Sequence, residues 1–267
     1  MRINTNVNAM QATNSMAKNS ALAGNSMEKL ASGLAINKAG DNAAGLAVSE
    51  KMRSQIRGME QADKNVQDGI SMVQTAEGAL EEAGNIAQRM RELSVQAGND
   101  TLSAEDREKI KVEIDELQEE MAQIAEETKF NGNDLLKGGD FTIQSGATTE
   151  TRVVTMEDLA DVAKTLSALD VSDNAGAQSA IEEIDKALTN INTARANLGA
   201  MQNRLEATSS NLTTSIENLT TAESRIRDVD VAKEMVKLSK LNLLTQTSQA
   251  MVAQAKSQPE GVTQLLR

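Results

Sequence analysis

Two long stretches, one in each half of the chain, carry an apolar residue at every seventh position. The first lies within residues 52–87 and the second within residues 184–226. A small or adaptable residue such as Ala62, Gly69 or Ala187 stands three positions after most of these apolar residues. A strict seven-residue repeat keeps a narrow stripe against a partner only when the helices wind around each other. The sequence therefore predicts that the two stretches are helices that pair within one chain.

A third amphipathic helix, about Ala104 to Lys129, has apolar residues at alternating spacings of four and three and a strongly acidic outer face. Aromatic residues make up only 1% of the chain, so aliphatic side chains must fill the core, which suits a thin bundle. The predicted bundle core consists of Met52, Met59, Val66, Val73, Leu80, Ile110, Ile114, Leu117, Met121, Ile184, Ile191, Leu198, Leu205, Leu212, Leu219 and Ile226.

Turn and capping residues predict where these helices begin and end. A turn at residues 39–41 precedes the first long helix, which extends to about Ala97, and Asp41 is its predicted N-cap. Ser103 with Asp106 three residues later predicts a capping box for the third helix.

The middle of the chain has a different character, with glycine pairs between short alternating runs. Residues 141–144 and 152–156 predict one or two small hairpins, and residues 159–169 a short helix. The predicted fold is mainly α: an elongated antiparallel coiled-coil-like bundle built from the N- and C-terminal halves, with a small β-hairpin region in the middle.

Both ends of the chain are poor in apolar residues and rich in Asn, Ser, Thr and Gln. Ordering a residue costs about 1–2 kcal/mol of backbone entropy, whereas burying a Leu or Val contributes about 1.5–3 kcal/mol. The ends are therefore predicted to be disordered in the isolated chain and to fold on assembly. The predicted domains are residues 1–41 with 230–267, residues 42–129 with 176–229, and residues 130–175.

Composition excludes several classes of function. The chain has no histidine or cysteine, so we expect no disulfide, no usual zinc site, no cofactor and no common nucleophile and base pair. A net charge of -12 argues against binding to nucleic-acid phosphates. No apolar run is long enough to span a membrane, and residues 1–10 do not resemble a secretion signal. Composition alone thus predicts a cytosolic, non-enzymatic protein.

Several segments resemble signatures of the bacterial flagellin family, in the order in which the family has them. They are residues 30–58 (LASGLAINKAGDNAAGLAVSEKMRSQIRG), 68–80 (DGISMVQTAEGAL), 218–230 (NLTTAESRIRDVD), 249–254 (QAMVAQ) and 265–267 (LLR). The resemblance covers nearly the whole chain except about residues 141–174, so it implies a short flagellin that lacks large outer domains.

The resemblance implies a structural subunit that polymerises into the flagellar filament for motility. Such subunits leave the cell unfolded by type III export, which replaces the cytosolic prediction with an extracellular one. The implied partners are further copies in a helical homopolymer, a secretion chaperone, the filament cap protein and the hook-filament junction protein. The implied inner core of the polymer comprises Ile3, Val7, Met10, Leu238, Leu241, Leu244, Met251, Val252, Leu265 and Leu266.

Residues 88–96 resemble the segment of many flagellins that an animal Toll-like receptor recognises. The resemblance implies that Arg89, Leu93, Gln96 and Glu113 are receptor contacts. The alternative interpretation is that these residues serve subunit packing. The last two leucines also resemble residues sensed by an intracellular immune receptor.

Two alternatives to a filament subunit remain at this point. A hook-filament junction protein has related ends but does not extend itself into a fibre. An enzyme built on paired carboxylates would use the acidic cluster that includes Glu116, Glu119 and Glu120, which is more typical of a solvated helix face.

Overall fold

The structure, a computed structural model, describes residues 6–166 and 169–265, with side chains as far as residue 257. Within these residues the helices are α1 (Val7–Ser32), α2 (Ala43–Ala97), α3 (Ala104–Glu127), α4 (Leu159–Leu166), α5 (Asn174–Arg227) and α6 (Val231–Leu265). The strands are β1 (Lys129–Phe130), β2 (Asn133–Asp134), β3 (Lys137–Gln144) and β4 (Thr151–Asp158). The predicted mainly-α fold with a small antiparallel strand region is confirmed. Across the described residues, no helix combines the length and apolar character needed to cross a bilayer.

The N-cap of the first long helix lies one residue later than predicted. The Asn42 side chain accepts a hydrogen bond from the Gly45 amide at 3.0 Å, so Asn42 caps α2. The Asp41 carboxylate instead accepts bonds from the Asn37 and Lys38 amides, at 3.2 and 3.1 Å. The prediction of Asp41 as N-cap is wrong because its side chain is used to close the preceding turn.

The capping box of α3 is confirmed. The Asp106 amide donates to the Ser103 hydroxyl at 3.2 Å, and the Ser103 amide donates to the Asp106 carboxylate at 3.4 Å. The hydrogen bonds from the Ser103 hydroxyl and amide lower the pKa of Asp106 below its ordinary value. The backbone amides of Ser103 and Asp106, at the start of α3, therefore both donate hydrogen bonds to side-chain oxygens.

The chain forms two compact units. The terminal unit comprises residues 1–54 and 218–267, and the middle unit comprises residues 55–217. These divisions differ from the predicted domains, because α2 and α5 each contribute residues to both units and the hairpin region belongs to the same unit as the helices beside it.

In the middle unit, α2 and α5 lie antiparallel, as the paired repeats predict. The Arg91 guanidinium donates to the Asp185 carboxylate at 2.6 Å, and the Ser209 hydroxyl donates to the Asp63 carboxylate at 2.6 Å. Late residues of α2 thus face early residues of α5. The seam between α2 and α5 contains many alanines, so these helices are held together by small side chains packed along a long contact.

The predicted core residues lie on this seam and on the inner face of α3. Those buried in the middle unit are Val66, Val73, Leu80, Ile110, Ile114, Met121, Ile184, Ile191, Leu198, Leu205 and Leu212. Met59 and Leu117 are half-buried against the same cluster. Met52, Leu219 and Ile226 are half-buried in the terminal unit.

The hairpin β3–β4 packs on α2 at two glycines. Phe141 of β3 pairs with Val154 of β4 in an antiparallel register. A methyl group added to Gly69 would overlap the Cδ1 atom of Ile143, and one added to Gly58 would lie 2.9 Å from the Cβ of Ala147. The hairpin can approach the helix this closely only because these positions have no side chain.

Candidate functional site

Helices α1 and α6 pack against each other in the terminal unit. They are antiparallel, since the Asn6 amide side chain near the start of α1 donates to the Ala255 carbonyl late in α6 at 2.6 Å. Their buried and half-buried positions alternate at spacings of three and four, which is a coiled-coil seam. The seam consists of Ala9, Ala12, Met16, Asn19, Ala23, Ser26 and Leu30 on α1, and Glu234, Leu238, Leu241, Thr245, Ser248, Val252 and Ala255 on α6.

The seam is made mostly of small or polar residues. Ala12, Ala23 and Ser26 are the buried positions of α1, and Leu241 and Ala255 are those of α6. Small side chains allow close approach of the helices but bury little apolar surface, and apolar burial contributes only about 25 cal/mol per Å². The contact between α1 and α6 is therefore weakly stabilised by itself.

The large apolar side chains of these helices lie mainly outside the seam. Of the fourteen large apolar residues exposed in the described part of the chain, eleven belong to the terminal unit: Val7, Met10, Leu22, Met27, Val48, Val231, Met235, Val236, Leu243, Leu244 and Met251. The other three are Val95, Val112 and Val153. Apolar residues concentrated on one exposed part of a protein mark an interaction surface. We call the eleven residues the apolar surface.

The predicted inner-core residues fall into two groups on α1 and α6. Val7, Met10, Leu244 and Met251 belong to the apolar surface, whereas Leu241 is buried in the seam. Leu238 and Val252 are half-buried seam residues. Of the remaining predicted residues, Ile3 and Leu266 lie outside the described residues, and Leu265 ends α6 with its side chain outside them.

Six residues of the apolar surface on α1 and α6 were missed by the sequence reasoning: Leu22, Met27, Val231, Met235, Val236 and Leu243. Their signal is detectable only in retrospect. Once the seven-residue seam positions of each helix are known, these apolar residues are seen to lie outside the seam. An apolar residue outside the seam indicates contact with something other than the paired helix.

A short backbone contact joins the two connections at the base of α1 and α6. Gly33 ends α1 in a left-handed conformation (φ 73°), and its carbonyl accepts a bond from the Val229 amide at 3.0 Å. The Ala35 amide donates to the Arg227 carbonyl at 2.6 Å. Residues Leu34 and Asp228 between these bonds form an isolated antiparallel bridge.

An ion pair supports the same contact. The Arg227 side chain is almost entirely buried, and its Nη1 donates to the Glu50 carboxylate of α2 at 2.5 Å. The Nε of Arg227 has no hydrogen-bond partner among the described residues. We call residues Gly33–Ala35, Glu50 and Arg227–Val229 the junction.

Glu234 lies in the first seam layer beyond the junction. The nearby hydroxyl of Ser26 and a hydrogen bond from Lys237 at 2.9 Å lower the pKa of Glu234 below its ordinary value. The Ser26 hydroxyl is buried and, among the described residues, has no partner at normal hydrogen-bond distance. It therefore acts on Glu234 by its proximity to the carboxylate and not through a short hydrogen bond. Glu234 and Ser26 thus form a polar layer of the seam, and the lowered pKa keeps the Glu234 carboxylate charged at neutral pH.

Charge divides unevenly between the two units. The sequence stretches of the terminal unit carry 13 basic and 8 acidic residues, a net charge of +5. Those of the middle unit carry 14 basic and 31 acidic residues, a net charge of -17. Burying many like charges together is costly, so the terminal unit is much the better suited to close packing among copies.

The segment related to receptor recognition is partly on the surface. Arg89 donates to Glu113 at 2.8 Å and to Glu92 at 3.3 Å, and these carboxylates raise the pKa of Arg89. Gln96 is exposed, whereas Leu93 is only 2% exposed and belongs to the core of the middle unit. The structure thus brings Arg89 and Glu113 together and places Leu93 away from the surface.

One groove of 460 Å³ lies between α4 and α5 in the middle unit, with Leu159, Val162 and Ile191 in its wall and Glu157 and Glu183 at its edge. Among the described residues, no group of three or more acidic side chains is placed to hold a metal ion.

Two family models match the chain. Residues 3–140 match the bacterial flagellin N-terminal helical region, and residues 181–266 match the bacterial flagellin C-terminal helical region. The flagellin of Halalkalibacterium halodurans is 51% identical, and that of Bacillus subtilis is 47% identical, with 100% of each chain covered in both cases.

Solved structures agree in fold. The crystal structure of Bacillus cereus flagellin is 33% identical with a TM-score of 0.51, covering 60% of this chain and 94% of that one. A putative flagellar hook-associated protein from Vibrio parahaemolyticus has a TM-score of 0.61 at 12% identity, covering 70% of this chain and 100% of that one. At that identity the second likeness concerns the fold alone.

Proposed function

This chain belongs to the bacterial flagellin family and is a structural subunit of the flagellar filament, and we propose that its apolar surface carries the contacts between subunits. The family works in motility and is structural, not enzymatic, and its filament is extracellular. Relatives matched over their whole length are flagellins, whereas the hook-associated protein shares only the fold. A hook-filament junction protein is therefore not favoured.

The distribution of exposed apolar residues is the observation that supports this proposal. An unlimited fibre needs contacts between two different surfaces of the subunit, because a self-complementary surface closes at a dimer. The apolar surface includes residues of both α1 and α6, such as Met10, Leu22, Val236 and Leu243. Neighbouring copies can bury these residues against one another without burying the acidic middle unit.

The proposal includes folding of the ends on assembly. The seam between α1 and α6 contains Ala, Ser, Thr and Asn at most positions, and little apolar surface is buried there. Packing of the apolar surface against other copies would add the missing stabilisation. Residues 1–41 and 230–267 would then form the inner core of the filament, with Val7, Met10, Leu244 and Met251 in contact between subunits.

Partners other than further copies of the chain are proposed from the family relationship. They are a secretion chaperone for the exported, unfolded chain, the filament cap protein and the hook-filament junction protein at the two ends of the filament. Recognition by an animal Toll-like receptor is proposed through Arg89, Gln96 and Glu113, which lie on the surface. Leu93 is buried in the core, so its role in that recognition would be to hold α2 in place.

Polymerisation of a Leu243→Ser variant tests the apolar surface. Leu243 is 64% exposed, so its replacement should leave the monomer stable. Losing its burial between subunits costs about 1–2 kcal/mol per contact, which raises the critical concentration about 5- to 30-fold. Val112→Ser is the matched control, because Val112 is 57% exposed but lies on α3 of the middle unit.

Seeded growth measured by sedimentation and negative-stain microscopy gives the critical concentration. An unchanged value for Leu243→Ser would contradict the proposed contact surface. Amide hydrogen exchange on monomer and filament tests the folding step: protection of α1 and α6 should rise strongly in the filament, and helices already protected in the monomer would count against it.

A further inference from the structure

The seam between α1 and α6 does not by itself define one register. Its positions repeat every seven residues on both helices, so a shift of α6 by seven residues places Thr245 where Leu238 stands and Val252 where Thr245 stands. The residues that meet after such a shift are again small, polar or medium-sized. A coiled coil adopts a single register when particular seam residues can pack or pair only in that register. The part of this seam that is far from the junction has few such residues.

The junction, in contrast, is compatible with only one register. The bonds from Ala35 to Arg227 and from Val229 to Gly33 join the residues immediately after α1 to those immediately before α6. A shift of seven residues moves one helix by about 10 Å along the other. Neither backbone bond can survive such a displacement, and Glu234 would also leave its place beside Ser26.

The Arg227 side chain holds the junction in position. It is 9% exposed and bonded to Glu50, which lies in the first part of α2, so the end of α5 is fixed to the start of α2. The carbonyl of the same residue accepts the bond from Ala35. One residue therefore links the ion pair to the backbone contact from which α1 and α6 extend.

We propose that the junction, through Arg227 and Glu50, sets the register in which α1 and α6 pair as the subunit joins the filament. The inference rests on the proposed function, because it concerns the folding of the ends on assembly. Pairing begins at the base, beside the Arg227 and Glu50 ion pair, and proceeds towards Asn6 and Ala255. Arg227 is thus a positioning residue for assembly, although it lies outside the apolar surface.

Engineered cysteine pairs report the register, since the chain has no cysteine of its own. Asn6→Cys with Ala255→Cys reports the observed register, because the Asn6 side chain contacts the Ala255 backbone. Asn6→Cys with Ser248→Cys reports a shift of seven residues in one direction, and Thr13→Cys with Ala255→Cys a shift in the other. Filaments of the full-length chain are oxidised, dissolved and run without reductant, so that a crosslink within one chain is separated from one between chains.

The test variant is Arg227→Met, and the matched control is Arg225→Met. Arg225 has the same charge and lies in the same last turn of α5, but it is exposed. With the native residues, only the Asn6 and Ala255 pair should crosslink within one chain. Arg227→Met should raise the crosslinking of the shifted pairs about tenfold or more, because it removes the side chain that fixes the end of α5 to the start of α2, whereas Arg225→Met should not.

Each outcome is decisive. Filaments of Arg227→Met that retain only the native crosslink, or equal shifts in Arg225→Met, overturn the proposal. If Arg227→Met forms no filaments, a chain with Glu50→Arg and Arg227→Glu decides: recovered filaments with the native crosslink support the proposal, and no recovery overturns it. If the native pair fails to crosslink in filaments of the otherwise unchanged chain, the proposed function of the ends is itself wrong.

Discussion

Replacing Gly69 by alanine tests the docking of the β3–β4 hairpin on α2. Gly69 is buried, and a methyl group there overlaps Cδ1 of Ile143, which is 8% exposed in the core. Gly78 lies in the same helix, is exposed and has no atom within 4 Å of an added methyl group. The two glycines thus differ in their surroundings but not in their helical backbone.

The magnitude follows from two opposing effects. Alanine is about 0.8–1.0 kcal/mol more favourable than glycine inside a helix, so Gly78→Ala should stabilise the chain by about that amount. Gly69→Ala gains the same helix preference but loses about 1–3 kcal/mol by overpacking against Ile143. The helix preference cancels between the variants, so their free energies of unfolding should differ by about 1–3 kcal/mol.

Urea unfolding of the full-length monomer, followed by circular dichroism, measures this difference. The comparison is repeated with Ile143→Val, which removes the overlapping Cδ1 atom at a cost of about 0.5–1.5 kcal/mol. In that background the difference between Gly69→Ala and Gly78→Ala should fall towards zero, as expected for two residues in direct contact. If Gly69→Ala stabilises the native chain as much as Gly78→Ala does, the hairpin does not lie on α2 as described.

The remaining predictions concern the middle unit and use the same unfolding assay. Leu205→Ala should destabilise the monomer by about 2–5 kcal/mol, because the side chain is 1% exposed, and an unchanged midpoint would contradict its burial. Ser103→Ala should cost about 1 kcal/mol by removing the α3 cap. The pKa of Asp106 is lowered in the folded chain, so the contribution of this carboxylate to the free energy of unfolding is full above its unfolded pKa and is lost as pH falls through its folded pKa. The destabilisation caused by Ser103→Ala should therefore shrink in acid. A destabilisation that does not depend on pH would exclude the charged capping box. A double-mutant cycle on Arg91 and Asp185 should show a coupling at low ionic strength that vanishes near about 1 M salt, and a salt-independent coupling would show that the pair is shielded from solvent.

The seven-residue repeats predicted the pairing of α2 with α5 because helix periodicity is a property of the sequence alone. Val66, Val73, Ile184 and Leu205 are apolar at that period, and the structure buries them. The α3 cap was predictable for the same reason, since Ser103 and its partner are separated by three residues. The α2 cap was not, because Asp41 and the residue after it are both good capping residues and only the shape of the turn decides between them.

The surfaces were less predictable than the helices. The sequence could not separate the apolar residues of α1 and α6 into seam and outer face, since Leu241 and Leu244 differ only in which partner they meet. Leu93 was expected at the surface from the resemblance, but the packing of the middle unit encloses it. Whether a residue is buried depends on neighbours that are distant in the chain, and a local sequence pattern does not identify those neighbours.

By itself, the sequence determined the helical fold, the internal pairing of its two repeats and the flagellin family, because periodicity, caps and family motifs are written in order along the chain. Only the tertiary structure decided which apolar residues remain for other copies and which residues join the base of α1 to that of α6. Arg227 and Glu50 are 177 residues apart, and their contact exists only after the chain has folded. Contacts at such separations depend on the path of the whole chain, which no local spacing specifies.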